Sequence, residues 1–530
     1  MKKRSDKSKF KLDFSIVNSA LDALDDDELC RFIRDIIPWL DNKTQARVVN
    51  DLIERAARSK NKWIPAGPSD KMVEEIVAFS KAAKRVSYAD PSIVDEYLME
   101  GENAFLAKDY SKSLQIFRCL LIPIANADID IGQHEMIDEV LGVEPSDCAS
   151  QYVVSVYMTT TPDRRVEEVR KAISDMDGAG YFFEPLKEME KVAVEPFPEF
   201  DAFMIGWRNC IEAEINDDRR RNWGTNSDEW LREVVQRLDG VDGLAGIARV
   251  SRRAEDLRAW CTELADSRQW NAALSAYKEA AELVTDSSYW KGEFLDGAAL
   301  SAQELGKKNL ASYLETAWNE APSLLRLRRW LGSSGSKAVL NKRIRKALQE
   351  CPKKAHRQLG LLNVMSGDFK TAAKLLASAS GLGWSDREHP GHLLFPLFRR
   401  LLGDDPQKIA FDNRFQDLRG MDLDEHESLD SDRNVPHLLN PTVEELVASA
   451  GINSISAKED RPALLKAMRT AAEKRMAGVT ENKRRRYYGH AAALAAACAG
   501  IDTSDVSERW LSTLRDKYRR YPALQQEFDR

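Results

Sequence analysis

Gly332, Ser333, Ser334, Gly335, Ser336 and Lys337 form a run of the composition that cradles phosphate groups. The spacing of a phosphate-binding loop is absent, and no strand precedes the run. It is expected to be a turn between helices. His389 and His392, separated by Pro390 and Gly391, offer two imidazoles. Zinc takes about four ligands, water included, and the chain has neither a Cys-x-x-Cys nor a His-Glu-x-x-His pattern. Trp384 and the run Leu393, Leu394, Phe395 point instead to a packed corner. The acidic run of Asp422, Asp424, Glu425, Glu427, Asp430 and Asp432 offers oxygen ligands but lacks the glycine and terminal glutamate of an EF-hand loop. No catalytic residue, metal site or cofactor site is expected from these patterns.

The strongest local signal is electrostatic. Between Ser323 and Gln358 lie eleven basic residues against a single acidic one, Glu350. Arg326, Arg328, Arg329, Lys342, Arg343, Arg345 and Lys346 are the candidate polyanion contacts. Arg343, Arg345 and Lys346 flank Ile344, which makes that face amphipathic. A second cluster, Lys483 to Arg486, runs into Tyr487 and Tyr488, and cations beside aromatic rings can hold single strands. The alternative for both is a solvated helix surface, with the first balanced by acidic neighbours. Over the whole chain the net charge is −7, from 78 basic and 85 acidic residues. Bulk charge therefore does not attract polyanions.

Elements must position these residues, and the chain is long enough for several. It has 530 residues, 43% hydrophobic and 31% charged, the balance of a folded chain with a hydrated surface. The seven cysteines are odd in number and scattered, as reduced thiols are and a disulfide framework is not. Met1 to Phe10 is basic and polar, unlike a signal peptide. No apolar run approaches the length of a membrane span. A cytoplasmic location follows as an expectation.

Leu29, Phe32, Ile33, Ile36, Ile37 and Leu40 recur at steps of three and four, which predicts one face of a helix opened by Asp25 to Glu28. Val48, Val49, Leu52, Ile53 and Ala56 predict a second helix, packed on another. Asp90 followed by Pro91 marks a helix start. Gln151 to Thr161 has strand-like composition but helical neighbours, and is read as helix. From Gly403 to Pro441 acidic residues crowd a stretch without apolar rhythm, read as a flexible linker and the first site of proteolysis. Ala491 to Ala497 has high helix propensity. The expected division is a helical region over 1–88, a hairpin array over 89–402, a linker over 403–441 and a helical region over 442–530.

Three stretches share one pattern at equal offsets. Gly101–Leu121 carries Ala104, Asp109, Tyr110, Ser113 and Phe117. Cys261–Ala281 carries Leu264, Gln269, Trp270, Ala273 and Tyr277. Gly360–Ser380 carries Asn363, Asp368, Phe369, Ala372 and Leu376. A looser copy runs from Ala299 through Gly306 and Ala311. The small residue after each turn lets two helices approach, and Tyr110, Phe117, Trp270, Tyr277 and Phe369 fill the space between them. This pattern resembles the tetratricopeptide repeat over roughly a fifth of the chain. The resemblance implies an all-α fold, an irregular α-solenoid of antiparallel helical hairpins. Separately, Gly335, Leu340 and Ile344 resemble a SAP-type DNA-binding hairpin over a short stretch.

Three functions follow as expectations. A non-catalytic scaffold or adaptor for a protein or peptide partner comes first, because helical arrays expose long grooves. A nucleic-acid-associated regulator using residues 323–358 is the alternative. An enzyme whose residues meet only in space is the third.

Overall fold

The computed structural model describes residues 14–59, 63–133, 137–176, 181–219, 226–284, 288–403, 436–455, 460–502 and 504–529. Among these the chain is helical with no strand, and one isolated parallel bridge joins Tyr88 to Asp130. The chain divides into two compact units, Met1–Leu244 and Ala245–Arg530. No described helix is long and apolar enough to cross a membrane.

The first unit holds α1 (Phe14–Asp22), α2 (Asp26–Ile36), α3 (Asn42–Arg58), α4 (Asp70–Val86), α5 (Pro91–Leu106), α6 (Tyr110–Ala125), α7 (Pro145–Thr159), α8 (Arg165–Ser174), α9 (Pro185–Val192) and α10 (Phe200–Arg219). α11 (Ser227–Ser251) kinks at Gly240, whose φ of 61° and ψ of −146° suit only glycine. Its residues up to Leu244 belong to this unit. Asp25 and Glu28 cap α2 reciprocally, each carboxylate accepting the other's backbone N–H. Asp90 accepts the Ser92 N–H at 2.9 Å and opens α5 at Pro91. The stretch 151–161 is helical to Thr159, and its valines and tyrosines are buried on every side of α7. That all-round burial is why its period was obscure. α6 packs on α4, α5 and α7 around Phe105, Phe117, Tyr152 and Tyr157, all fully buried.

The periodic face predicted over Leu29 to Leu40 runs from α2 into a 3-10 turn at Ile37–Trp39 and is partly covered, with Leu29, Ile36, Ile37 and Leu40 half-buried. No residue of α2 is buried, and Phe32 and Ile33 are exposed. α3 packs on α5, and of its five periodic residues Val49, Ile53 and Ala56 are half-buried, while Val48 and Leu52 face solvent. Periodicity fixes a face, not its partner.

The second unit holds α12 (Ala254–Asp266), α13 (Trp270–Leu283), α14 (Ser288–Glu304), α15 (Leu310–Glu320), α16 (Leu324–Gly332), α17 (Lys337–Glu350), α18 (His356–Ser366), α19 (Phe369–Ser378), α20 (Gly391–Leu402), α21 (Val443–Ser449), α22 (Asp460–Glu481), α23 (Tyr488–Ile501), α24 (Asp505–Lys517) and α25 (Pro522–Phe528). Each of α12 to α19 packs on the next. The stacked rings of Trp318 and Trp330, 5.1 Å apart, join this series near the middle of one continuous core. That core also takes in α20 to α23, with α22 lying on α19. So α21, α22 and α23 are packed with the hairpins before them. Ala491, Ala492 and Ala495 are fully buried in α23, which packs on α22.

The three aligned hairpins, and the looser fourth, close with one turn. Lys108, Arg268, Gly306 and Gly367 adopt left-handed backbone, with φ of 63°, 56°, 60° and 81°. The next residue in each, Asp109, Gln269, Lys307 and Asp368, gives its N–H to the carbonyl five residues back at 2.8–2.9 Å. These are Ala104, Leu264, Ala302 and Asn363, the same offset in every copy. The left-handed residue lets the chain reverse while the last carbonyls of the first helix stay bonded. Of the hairpin aromatics, Phe117 is fully buried, whereas Tyr110, Trp270, Tyr277 and Phe369 are half-buried. The residue just past the turn therefore covers the seam between helices rather than filling its centre.

Candidate peptide-binding groove

Residues 436–442 run without helix into α21. Their backbone groups need partners outside the segment's own hydrogen-bond ladder, and side chains of α14 and α16 provide them. Gln303, on the last turn of α14, spans two of them with one amide. Its Nε2 donates to the His437 carbonyl at 2.9 Å, and its Oε1 accepts the Leu439 N–H at 3.4 Å. In extended backbone the carbonyl of one residue and the N–H two residues on lie on the same edge. A side-chain amide fits that pair.

From α16, Arg328 donates through Nε to the Pro441 carbonyl at 2.8 Å, and Arg329 donates through Nε to Asn440 Oδ1 at 2.7 Å. Asp296 of α14 orients this edge, with Arg326 at 2.8 Å and Arg329 at 3.3 Å from its carboxylate. Side chains of the segment alternate. Leu438 is 6% exposed and joins the main core, whereas Leu439 is 74% exposed. The Pro441 ring lies on Gly332, where an added Cβ would stand 2.4 Å from Pro441 Cγ. Gly332 permits this close approach. Beside Leu438 a cavity of about 370 Å³ opens, lined by Gln303, Leu310, Leu314 and Arg329.

The expected flexible linker therefore stops short of its predicted end. Residues 436–441 are held, while 404–435, including the acidic run from Asp422 to Asp432, lie outside the described residues. Gln303, Asp296, His437 and Asn440 carried no signal in isolation. The available one was Leu438-Leu439-Asn440-Pro441, a short apolar island directly before the Thr442–Glu445 capping box.

The basic patch divides into spent and exposed cations. Arg326, Arg328 and Arg329 are the groove residues just described. Arg343 donates to the Trp330 carbonyl and the hydroxyls of Ser333 and Ser334, within 2.6–3.0 Å, and burial holds its pKa below the usual value. The Gly332–Lys337 run is thus a helix connection whose serines accept from arginine. Lys346 pairs with Glu315 at 2.7 Å, which raises its pKa. Lys342 and Arg345 are exposed on α17. In the second cluster, the Tyr487 ring is contacted by the guanidiniums of Arg475 and Arg486 at 4.9 and 4.6 Å, and Tyr488 is buried.

The histidine corner is internal. His389 Nδ1 accepts the Gly391 N–H at 3.1 Å and Nε2 meets the Ser380 carbonyl at 3.0 Å, which fixes the proton on Nε2. Burial lowers its pKa to about 4. Trp384 packs against His389, His392 and His490, with centroids 4.6, 5.5 and 4.9 Å away. With both His389 nitrogens engaged, this corner is packing. Among the described residues no group of histidine, cysteine or acidic side chains is arranged to hold a metal ion. The buried thiols are correspondingly inert: burial pushes Cys261 and Cys498 up to about 12.

No protein-family model matches the chain, and no curated protein matches it significantly. The function is read from the geometry alone.

Proposed function

We propose that the chain is a non-catalytic protein-interaction scaffold, an irregular α-solenoid of tetratricopeptide-type hairpins that holds extended peptide against α14, α15 and α16. The observation that carries this reading is Gln303. One side-chain amide satisfies a carbonyl and an N–H of extended backbone, which is a way of holding peptide irrespective of most of its side chains. Arg328 and Arg329 extend the same row to Pro441 and Asn440. The left-handed turn that recurs at equal offset in the four hairpins accords with the repeat resemblance, though the same turn also closes α4, α21 and α22.

The nucleic-acid reading is less well supported. Arg326, Arg328, Arg329 and Arg343 are spent on protein acceptors, which leaves Lys342, Arg345 and Lys346, the last paired with Glu315, as the exposed part of that candidate set. The discriminating experiment is affinity capture with the full chain at physiological salt, with and without nuclease. The scaffold reading expects protein partners that survive nuclease. Capture that disappears with nuclease, together with direct nucleic-acid binding that falls steeply with salt, would overturn it.

A further inference from the structure

We propose that the groove receives an extended partner segment of the pattern apolar-x-Asn-Pro, and that His437–Pro441 of this chain sits there as a built-in competitor. This rests on the scaffold reading above and adds the recognition pattern and its regulation.

The occupant defines the pattern. Leu438 enters the core, Leu439 points to solvent and is free to vary, Asn440 takes the Arg329 bond, and Pro441 covers Gly332. The remaining contacts go to main chain, through Gln303 and Arg328. A peptide from another protein satisfies these donors and acceptors equally well, because none of them distinguishes its source. The cis segment has one advantage, its direct continuation into α21, which gives it a high effective concentration. A partly open cavity of about 370 Å³ adjoins Leu438, which is itself 6% exposed, so a larger apolar side chain at that position has room to extend into it. A partner peptide therefore competes through a better anchor against a tethered but smaller one. Its apparent affinity falls by the fraction of chains in which the groove is vacated.

The test uses the full chain and a labelled peptide copying residues 437–442, followed by fluorescence anisotropy, with a second peptide carrying phenylalanine in place of the leucine copied from Leu438. Leu438→Ser removes the cis anchor. Asn440→Ala removes only the bond to Arg329 and guards against loss of folding in the first variant, and circular dichroism checks both. Leu438→Ser is expected to bind the peptide at least about tenfold tighter than the unaltered chain. Asn440→Ala is expected to gain about tenfold or less. The phenylalanine peptide should outbind the leucine peptide, and adding Gln303→Ala to Leu438→Ser should weaken both. Equal binding by the unaltered and Leu438→Ser chains, still weakened by Gln303→Ala, overturns the competitor and leaves the scaffold reading standing. Absence of binding by folded variants overturns the recognition pattern. The capture experiment above then judges the scaffold reading separately.

Discussion

Arg328 reaches Pro441 across 113 residues of sequence, its Nε 2.8 Å from the proline carbonyl, with the arginine only 3% exposed. The Pro441 carbonyl it serves lies in a stretch without helix, so no intrahelical N–H bonds it. Replacing Arg328 with alanine leaves that acceptor and the groove wall without their donor. The expected loss is about 2–3 kcal/mol. Denaturant unfolding checks it, together with faster proteolysis at 437–441. Unchanged stability with the segment still protected would mean that the bond carries little.

The shared turn makes two opposite predictions. Arg268 is exposed and adopts left-handed backbone at φ 56°, where a side chain costs energy that glycine does not. Arg268→Gly should stabilise by about 0.5–1 kcal/mol. Gly367→Ala, at φ 81°, should destabilise by about 1–2 kcal/mol. Thermal melts of the pair check the sign, and like signs would contradict the equivalence of the two turns.

Position within the hairpin grades the aromatics. Phe117 is fully buried, and an added Cβ at Gly101 would lie 2.8 Å from its ring. Phe117→Ala should cost about 3–5 kcal/mol. Trp270 is only half-buried, so Trp270→Ala should cost about 1–2 kcal/mol. Denaturant titrations that reverse this order would mean the two side chains have exchanged roles.

How much of this was legible can be read from the same residues. The hairpins and their offsets were visible, because small and aromatic residues recur around each turn. Two of the four left-handed positions were not, because Lys108 and Arg268 stand where glycine would announce the conformation. The helical period of Leu29 to Leu40 holds to Ile36, yet its face is only partly covered, with Phe32 and Ile33 exposed, since a period carries no information about a partner. The basic patch looked like a surface by composition. Arg326, Arg328, Arg329 and Arg343 turned inward because Asp296, Trp330 and Pro441 offer them acceptors. The groove was illegible for the same reason: Gln303 and His437 are ordinary residues until the fold brings them together.

Glu102 gives a pH dependence with a definite sign. It is 4% exposed, and burial raises its pKa from 4.5 to about 8, although the Cys148 thiol donates to its Oε1 at 3.6 Å. The unfolded chain releases this proton near pH 4.5, and the native chain keeps it to about pH 8. The native state therefore holds more protons across that window, and stability falls as pH rises through it. Glu102→Gln removes this cost, and should shrink the stability difference between about pH 5 and pH 8 by on the order of 3 kcal/mol. Parallel pH profiles for the parent and the variant would contradict a neutral native Glu102.

Hydrogen exchange at Leu439 tests the groove most directly. Its side chain is 74% exposed, yet its N–H is bonded to Gln303 Oε1. An exposed loop amide exchanges at nearly the rate of an unfolded chain, whereas one held by the groove is slowed. Protection at Leu439 is expected in the unaltered chain and should be lost in Gln303→Ala. The α21 helix should keep its protection in both. Free exchange at Leu439 in the unaltered chain, or protection that survives Gln303→Ala, would contradict the claim that this groove holds extended peptide.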